Sequence, residues 1–194
     1  MKINEYTVDV FEGVYPPSED SFLLYDSIPK EYVKRALDVG SGTGILTLKL
    51  TEIADYVVAI DVSSKACRNT LHNVKLNKRY KRADVVRGDL LNPFRKGSFQ
   101  LILFNPPYLP VDENVDEICL AWSGGRGGIE VVVRFLQSLK FIIDRKSKVY
   151  LLLSSLMDLK TLFKFLNSYF NWSIVAKRSV GLFEELIVIC LRKT

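Results

Sequence analysis

The run Leu37-Asp38-Val39-Gly40-Ser41-Gly42-Thr43-Gly44 joins the end of an apolar, strand-like block to the start of a helical one. Ala36 to Gly40 reads as a buried strand, and Ile45 to Ile53 carries apolar residues at helical spacing. The glycines between them let the chain turn tightly and let a ligand lie against bare backbone. A dinucleotide fingerprint, G-x-G-x-x-G, would place its third glycine at position 45. Ile45 stands there and Gly44 comes one step early, which weighs against a nicotinamide cofactor.

Working outward, the same alternation continues. Tyr56 to Asp61 is a second strand ending on an acid, and Ser63 caps a helix through Leu71, Val74 and Leu76. Residues 84–89 form a third strand and 99–104 a fourth. A helix over 129–143 precedes a fifth strand at 149–153. A helix over 156–169 then leads to strands at 172–179 and 184–191. Only Val180-Gly181-Leu182-Phe183 separates the last two, too few residues for a crossover, so they form a hairpin. The expected fold is α/β: a seven-stranded, mostly parallel sheet with an antiparallel C-terminal hairpin strand and helices on both faces. One domain over 1–194 is expected, with an N-terminal segment and helix (1–30) ahead of the core (31–194).

Composition narrows the chemistry. With 194 residues, 48% hydrophobic and 25% charged, the chain excludes disordered and cysteine-stapled classes. One histidine (His72) and three scattered cysteines (Cys67, Cys119, Cys190) argue against zinc hydrolases and histidine-based nucleophilic catalysis. No metal is expected, and an enzyme here works without a histidine base. His72, among Asn69, Asn73 and Lys75, reads as a surface residue. No apolar run approaches the roughly 20 residues of a membrane span. The mixed N-terminus does not read as a secretory signal, so a cytoplasmic protein is expected.

In an open α/β sheet, ligands bind at the carboxyl ends of the strands. Asp61, about 20 residues beyond the glycine run, stands where an acid accepts hydrogen bonds from two ribose hydroxyls. Asp89, at the end of the third strand, either meets an adenine edge or caps the following turn. The fourth strand ends in Phe104-Asn105-Pro106-Pro107-Tyr108. Two prolines stop the ladder because neither offers an N–H. Asn105 and Tyr108 add chemistry to that rigid exit. An amide or exocyclic amine nitrogen is a poor nucleophile because its lone pair is delocalised. The Asn105 side-chain oxygen and the Pro106 carbonyl can accept its two N–H groups and aim the lone pair, while Tyr108 stacks on the flat acceptor.

The D-V-G-S-G-T-G run followed by an acid on the second strand resembles the Rossmann-like class I S-adenosylmethionine-dependent methyltransferases, over roughly residues 36–192. The resemblance implies S-adenosyl-L-methionine as cofactor. It places Asp38, Gly40, Ser41, Gly42 and Gly44, then Asp61 and Val62, Asp89 and Leu90, and Asn105 around it. N-P-P-Y is similar to the signature of methyltransferases acting on planar sp2 nitrogens, whether glutamine side chains or nucleobase amines. The N-terminal Val14-Tyr15-Pro16-Pro17-Ser18-Glu19-Asp20-Ser21-Phe22-Leu23-Leu24 is, on its own terms, a helix start capped by Ser18, with Phe22, Leu23 and Ile28 buried. It also resembles a segment of the HemK/PrmC-like class I release-factor glutamine methyltransferases of eukaryotes and archaea. That resemblance implies a cofactor cover in which Tyr15, Pro17, Asp20 and Ser21 take part, Asp20 and Ser21 at the methionine moiety. Pro16 departs from the eukaryotic pattern, which has an acid there.

Ala121-Trp122-Ser123-Gly124-Gly125-Arg126-Gly127-Gly128 is glycine-rich enough to expose backbone. It is similar to a Trp-x-Gly-Gly-Arg-x-Gly run beside the family's active site. Pro107, Tyr108, Trp122, Gly124, Gly125 and Arg126 are thereby implied at the substrate. The short chain resembles a family member with little beyond the catalytic domain.

The net charge of +5 hides two opposite regions. A basic stretch (Lys65, Arg68, Lys75, Lys78, Arg79, Lys81, Arg82, Arg87, Arg95, Lys96) is either a solvated face or a surface for acidic parts of a release factor, ribosome or RNA. Asp112, Glu113, Asp116 and Glu117 follow N-P-P-Y and would repel phosphates within about 8 Å. That favours a protein glutamine over a base in DNA or RNA. Transfer to lysine would need a base to deprotonate the ammonium, and a non-catalytic cofactor binder would not need N-P-P-Y. The resemblance further implies a class I translation release factor as substrate and a small zinc-ribbon activator subunit. The latter would pair with the third-strand edge through Val85 and Val86, unless that short edge protects itself.

Overall fold

The computed structural model describes residues 1–108 and 129–194. A small antiparallel hairpin, β1 (Lys2–Ile3) and β2 (Tyr6–Thr7), leads to helix α1 (Glu19–Asp26). The chain then alternates through β3 (Val33–Val39), α2 (Ile45–Ile53), β4 (Ala54–Asp61), α3 (Ser64–Leu76) and β5 (Ala83–Arg87). It continues with β6 (Leu101–Phe104), α4 (Glu130–Ile142), β7 (Lys148–Ser154), α5 (Leu159–Tyr169), β8 (Phe170–Val180) and β9 (Glu184–Lys193). Among the described residues, one sheet runs in the order β5-β4-β3-β6-β7-β9-β8. β3 to β7 are mutually parallel, and β9 lies antiparallel to both β7 and β8. This is the expected architecture, with β5 at one edge.

The strands read as continuous apolar runs because both of their faces are buried. Leu101 and Leu103 of β6 join Ala36, Leu48, Leu50 and Val57 on one side of the sheet. Ile102 and Phe104, offset by one residue, join Leu37, Val39 and the α4 residues Phe135 and Leu136 on the other. No helix among the described residues is long and apolar enough to cross a membrane.

Several boundaries differ from expectation. β3 starts at Val33, whereas the third strand of the core, β5, stops at Arg87; the Gly88 N–H still donates to the Asp61 carbonyl (3.0 Å), and Asp89 lies beyond the strand. β6 starts only at Leu101, and Phe99 is buried ahead of it. Ser18 stands at the α1 N-cap with extended backbone, but its side chain makes no cap hydrogen bond. Its carbonyl instead accepts the Phe22 N–H. Phe22 is only half-buried, whereas Asp20 and Ser21 are buried, so α1 turns polar residues inward.

A feature absent from the sequence reading ties the N-terminus to α3. Asn69, Asn73 and Asn77 recur every fourth residue, and the extended chain at Thr7, Asp9 and Phe11 runs antiparallel alongside them. The spacings match: four helical residues rise about 6 Å and two extended residues about 6.6 Å. The Thr7 N–H donates to Asn77 Oδ1 (3.0 Å), the Asp9 N–H to Asn73 Oδ1 (3.0 Å) and the Phe11 N–H to Asn69 Oδ1 (2.8 Å). In return Asn77 Nδ2 donates to the Thr7 carbonyl (2.7 Å), and Asn69 and Asn73 both donate to that of Asp9 (2.8 Å each). Three side-chain amides thus act as a surrogate strand. Asn73 also donates to the Thr43 carbonyl (2.8 Å), linking the strap to the glycine loop. His72 lies on the exposed side of this seam, against the Asp9 carboxylate (2.8 Å) and the Phe11 ring.

Asn73→Ala strips the Asp9 N–H and the Thr43 carbonyl of their partners at a fully buried position. The expected cost is about 2–4 kcal/mol, read as a lower urea midpoint at unchanged slope. His72→Ala, at an exposed pair, should stay within about 1 kcal/mol.

Candidate active site

β4, β3 and β6 end side by side, with Val39 opposite Ile60 on one side and Phe104 on the other. The turns that leave them therefore share one crevice. A cavity of about 380 Å³ opens there, lined by the glycine loop, the β4 and β6 exits and the segment before α1.

The glycine loop is built for close approach. Gly44, the N-cap residue of α2, has φ +82°, and a Cβ there would lie 2.8 Å from Thr70 Cγ2 and 3.1 Å from its Cα. α2 and α3 can meet this closely only at a residue without a side chain. Gly42 donates its N–H to Asp61 Oδ2 (3.1 Å), while the Ser63 N–H donates to Asp61 Oδ1 (2.8 Å). Backbone donors from two loops therefore fix the Asp61 carboxylate in the cavity wall. Burial raises the Asp61 pKa, and these N–H groups oppose the rise.

Asp38 is fully buried behind the loop and does not line the cavity. Thr47 donates its hydroxyl to Asp38 Oδ2 (2.5 Å), and Oδ1 has no partner among the described residues. Burial pushes its pKa up to about 7, against the Thr47 hydrogen bond and with help from the Asp61 charge. Gly44 likewise stays out of the lining, as a packing glycine. The other described residues implied at the cofactor, Tyr15, Pro17, Asp20, Ser21, Gly40, Ser41, Gly42, Asp61, Val62, Asp89, Leu90 and Asn105, all line it.

Asp89 reaches the cavity paired with Arg134 of α4. Arg134 lines the same wall and was not singled out from the sequence; an arginine in an apolar helix 45 residues away carries no local signal of that pairing. Gly13, Val14 and Val131 are further lining residues missed for the same reason.

At the β6 exit, Pro106, Pro107 and Tyr108 line the cavity beside Asn105. Asn105 Nδ2 donates to Asp20 Oδ2 (3.2 Å) and, at 3.5 Å, to Ser21 Oγ. Asn105 Oδ1 is buried and has no partner among the described residues. The Tyr15 hydroxyl also donates to Asp20 Oδ2 (3.1 Å). Burial and then the Asp20 charge push the Tyr15 phenol up to about 12. Tyr108 is raised further, by burial first and then by Asp20, Glu184 and Tyr15. Both tyrosines thus present neutral rings near pH 7. Trp122, Gly124, Gly125 and Arg126, with Asp112, Glu113, Asp116 and Glu117, lie outside the described residues.

A Rossmann-like sheet with a glycine turn, an acid closing the next strand and Asn-Pro-Pro-Tyr at the crevice defines a class of methyltransferase. Residues 13–121 match the family model for the methyltransferase small domain, and the chain belongs to that family. It is 35% identical, over 97% of its length and 96% of the relative's, to a putative protein N5-glutamine methyltransferase of Methanocaldococcus jannaschii. Methyltransferase HEMK2 of Homo sapiens is 32% identical over 73% of this chain and 72% of its own. Among solved structures, a chain of the E. cuniculi Mtq2–Trm112 complex, responsible for methylation of the eRF1 translation termination factor, superposes with a TM-score of 0.71. It covers 94% of this chain and 99% of that one at 26% identity.

Two outcomes follow from the loop. Gly44→Ala should lose about 2–4 kcal/mol in urea denaturation, combining left-handed strain with a clash against Thr70. Gly42→Ala, whose added methyl meets open space, should lose only the strain, about 1–2 kcal/mol. Asp38, with a pKa near 7 when folded and 3.8 as its ordinary value, binds more proton in the folded state. Its contribution is fully present below the ordinary value and is lost as pH rises through about 7. Unfolding free energies of the ligand-free protein from pH 5 to 8 should carry that downward slope, and Asp38→Asn should remove it.

Proposed function

We propose that this methyltransferase uses S-adenosyl-L-methionine to methylate the side-chain amide nitrogen of the glutamine in the Gly-Gly-Gln loop of a class I translation release factor. The observation that carries the reading is the Asn105 amide, anchored through Nδ2 while its buried Oδ1 has no partner at the β6 exit. An amide buried in this way costs free energy unless something donates to it. A glutamine N–H is a donor of the right kind.

The residues present fit the cofactor. Asp61, pre-ordered by the Gly42 and Ser63 N–H groups, would accept the two ribose hydroxyls. Gly40, Ser41 and Gly42 bring bare backbone to the cavity, Val62 and Leu90 line it with apolar groups, and Asp89, also in the lining, would meet the adenine edge. Tyr15, Pro17 and Ser21, which line the cavity from the N-terminal segment, would cover it. Asp38 and Gly44 act behind the loop, in keeping with their exclusion from the lining. When bound, the cofactor supplies an electrophilic methyl group on a sulfonium.

The chain contributes positioning. Asn105 Oδ1 and the Pro106 carbonyl would hold the two amide N–H groups and favour the pyramidal nitrogen that attacks. As the N–C bond forms, the sulfonium S–C bond would break to a neutral thioether. The cationic N-methyl amide, a strong acid, would release one of those protons to water, so no histidine base is required. Tyr108, held neutral, would cover the flat amide with Pro107. Trp122, Gly124, Gly125 and Arg126 are proposed at the rim by resemblance alone. Whole-length similarity to a putative protein N5-glutamine methyltransferase supports glutamine as the acceptor. Similarity to a chain of the Mtq2–Trm112 complex supports a small activator subunit, which would be a zinc ribbon by the resemblance. β5, at the sheet edge with Val85 and Val86 half-buried, would receive it by strand addition.

Labelled methyl groups should pass from the cofactor to a purified release factor and not to its Gln→Ala variant in Gly-Gly-Gln. Incorporation into adenine-containing oligonucleotides and none into the factor would overturn the reading. Asn105→Ala should lower turnover by roughly 100-fold or more while the calorimetric cofactor affinity stays within about threefold. Equal loss of both would remove Asn105 from the positioning role.

A further inference from the structure

We infer that Asp20 is a positioning residue for the transfer step: its carboxylate sets which way the Asn105 amide faces. The inference rests on the reading that Asn105 Oδ1 accepts an acceptor N–H, and it adds what puts that oxygen there.

An asparagine side chain has two ends of similar size and opposite hydrogen-bonding sense. A rotation of 180° about its last bond exchanges them, so nothing in the N-P-P-Y backbone alone makes the oxygen the end that meets substrate. A carboxylate offers only acceptors. Placed against Asn105, it admits Nδ2 and repels Oδ1. Asp20 Oδ2 stands 3.2 Å from Asn105 Nδ2, across 85 residues of sequence. The flipped amide would set two acceptor oxygens against each other at a buried position.

Asp20 is itself held so that it cannot turn away. It is 3% exposed, on the first turn of α1. Its Oδ1 accepts both the N–H (2.6 Å) and the hydroxyl (3.2 Å) of Ser21, and its Oδ2 accepts the Tyr15 hydroxyl as well as Asn105. Each oxygen thus has two donors. That occupancy differs from a carboxylate reserved for a ligand amine, which would keep lone pairs turned towards the cavity. It also gives the N-terminal segment a second task beyond covering a ligand, because Tyr15, Asp20 and Ser21 all arrive with it. The segment completes the reaction site as well as closing it.

The test is a double-mutant cycle on wild type, Asp20→Ala, Asn105→Ala and the double variant, with any obligate activator present. Turnover on the release factor and cofactor affinity by calorimetry are measured for all four. Asp20→Ala should lower turnover roughly 10- to 100-fold with cofactor affinity within about threefold, and should cost less than about threefold when Asn105 is already alanine. An equal loss in both backgrounds, or a loss mainly of cofactor affinity, would overturn the inference. If Asp20→Ala does not fold, the near-isosteric Asp20→Asn serves. Whichever way its amide turns, it meets either the Ser21 N–H or Asn105 Nδ2 with a donor.

A second readout needs no acceptor, so it separates this inference from the choice of substrate. The Asn105 side-chain NH2 resonances, assigned by their loss in Asn105→Ala, should show one slowly exchanging proton. Asp20→Asn should shift that proton and speed its exchange. Unchanged resonances would overturn the inference even if the wild type methylates the factor. A moved resonance with no methylation of the factor would leave Asp20 as the orienting group and reject the glutamine reading alone.

Discussion

The crevice exists because of one constraint on chain path. From β3 the chain builds outward to β4 and β5, then returns to place β6 against the other side of β3. Turns leaving two adjacent parallel strands in opposite directions cannot cover their shared end. The Gly40 loop and the Asn105 exit are therefore neighbours by topology. A Cβ on Gly40 would lie 3.5 Å from the Phe104 ring and 3.7 Å from the Asn105 carbonyl. Every functional contact, from Asp61 on one wall to Tyr108 on the other, hangs on that juxtaposition.

A crevice open on top still needs a roof, and the N-terminal segment provides it, its Tyr6 and Val8 packed into the core and its backbone held by polar bonds. Three asparagines of α3 grip Thr7, Asp9 and Phe11. The chain then turns at Gly13 (φ +77°) towards Tyr15 and delivers Asp20 to Asn105. α3 starts at Ser64, just after Asp61 closes β4, so the helix that anchors the strap begins at the Asp61 wall of the cavity. The strap, the Asp61 wall and the Asp20–Asn105 pair are coupled through a few hydrogen bonds that exist only in the folded chain.

Legibility in the sequence followed the range of the interaction. The C-terminal hairpin and the cap at Ser63 are encoded within a few residues, whereas the edge position of β5 depends on the strand order of the whole sheet and was expected only from the family resemblance. The lining positions of Asp61, Asn105 and Tyr108 were also readable, because strand ends in an α/β sheet have a known address. Asp38 and Gly44 were placed at the ligand because they sit in the same motif. Only packing shows that both stand behind the loop, outside the cavity lining. The asparagine ladder escaped notice because asparagines every fourth residue look like a solvated face until an extended chain of matching pitch lies on them. Asp89–Arg134 and Asp20–Asn105 are long-range pairs, and no local pattern announces either.

In the function proposed above, aimed hydrogen bonds let this site methylate an otherwise unreactive amide. Tandem mass spectrometry of a release factor incubated with the protein and S-adenosyl-L-methionine tests it most directly. A single added methyl, about 14 Da, is expected on the glutamine of Gly-Gly-Gln, its side-chain fragments carrying the mass, in keeping with the positioning chemistry of the site. A methyl group found on lysine, or an unmodified factor beside methylated adenine in an RNA or DNA competitor, would contradict it.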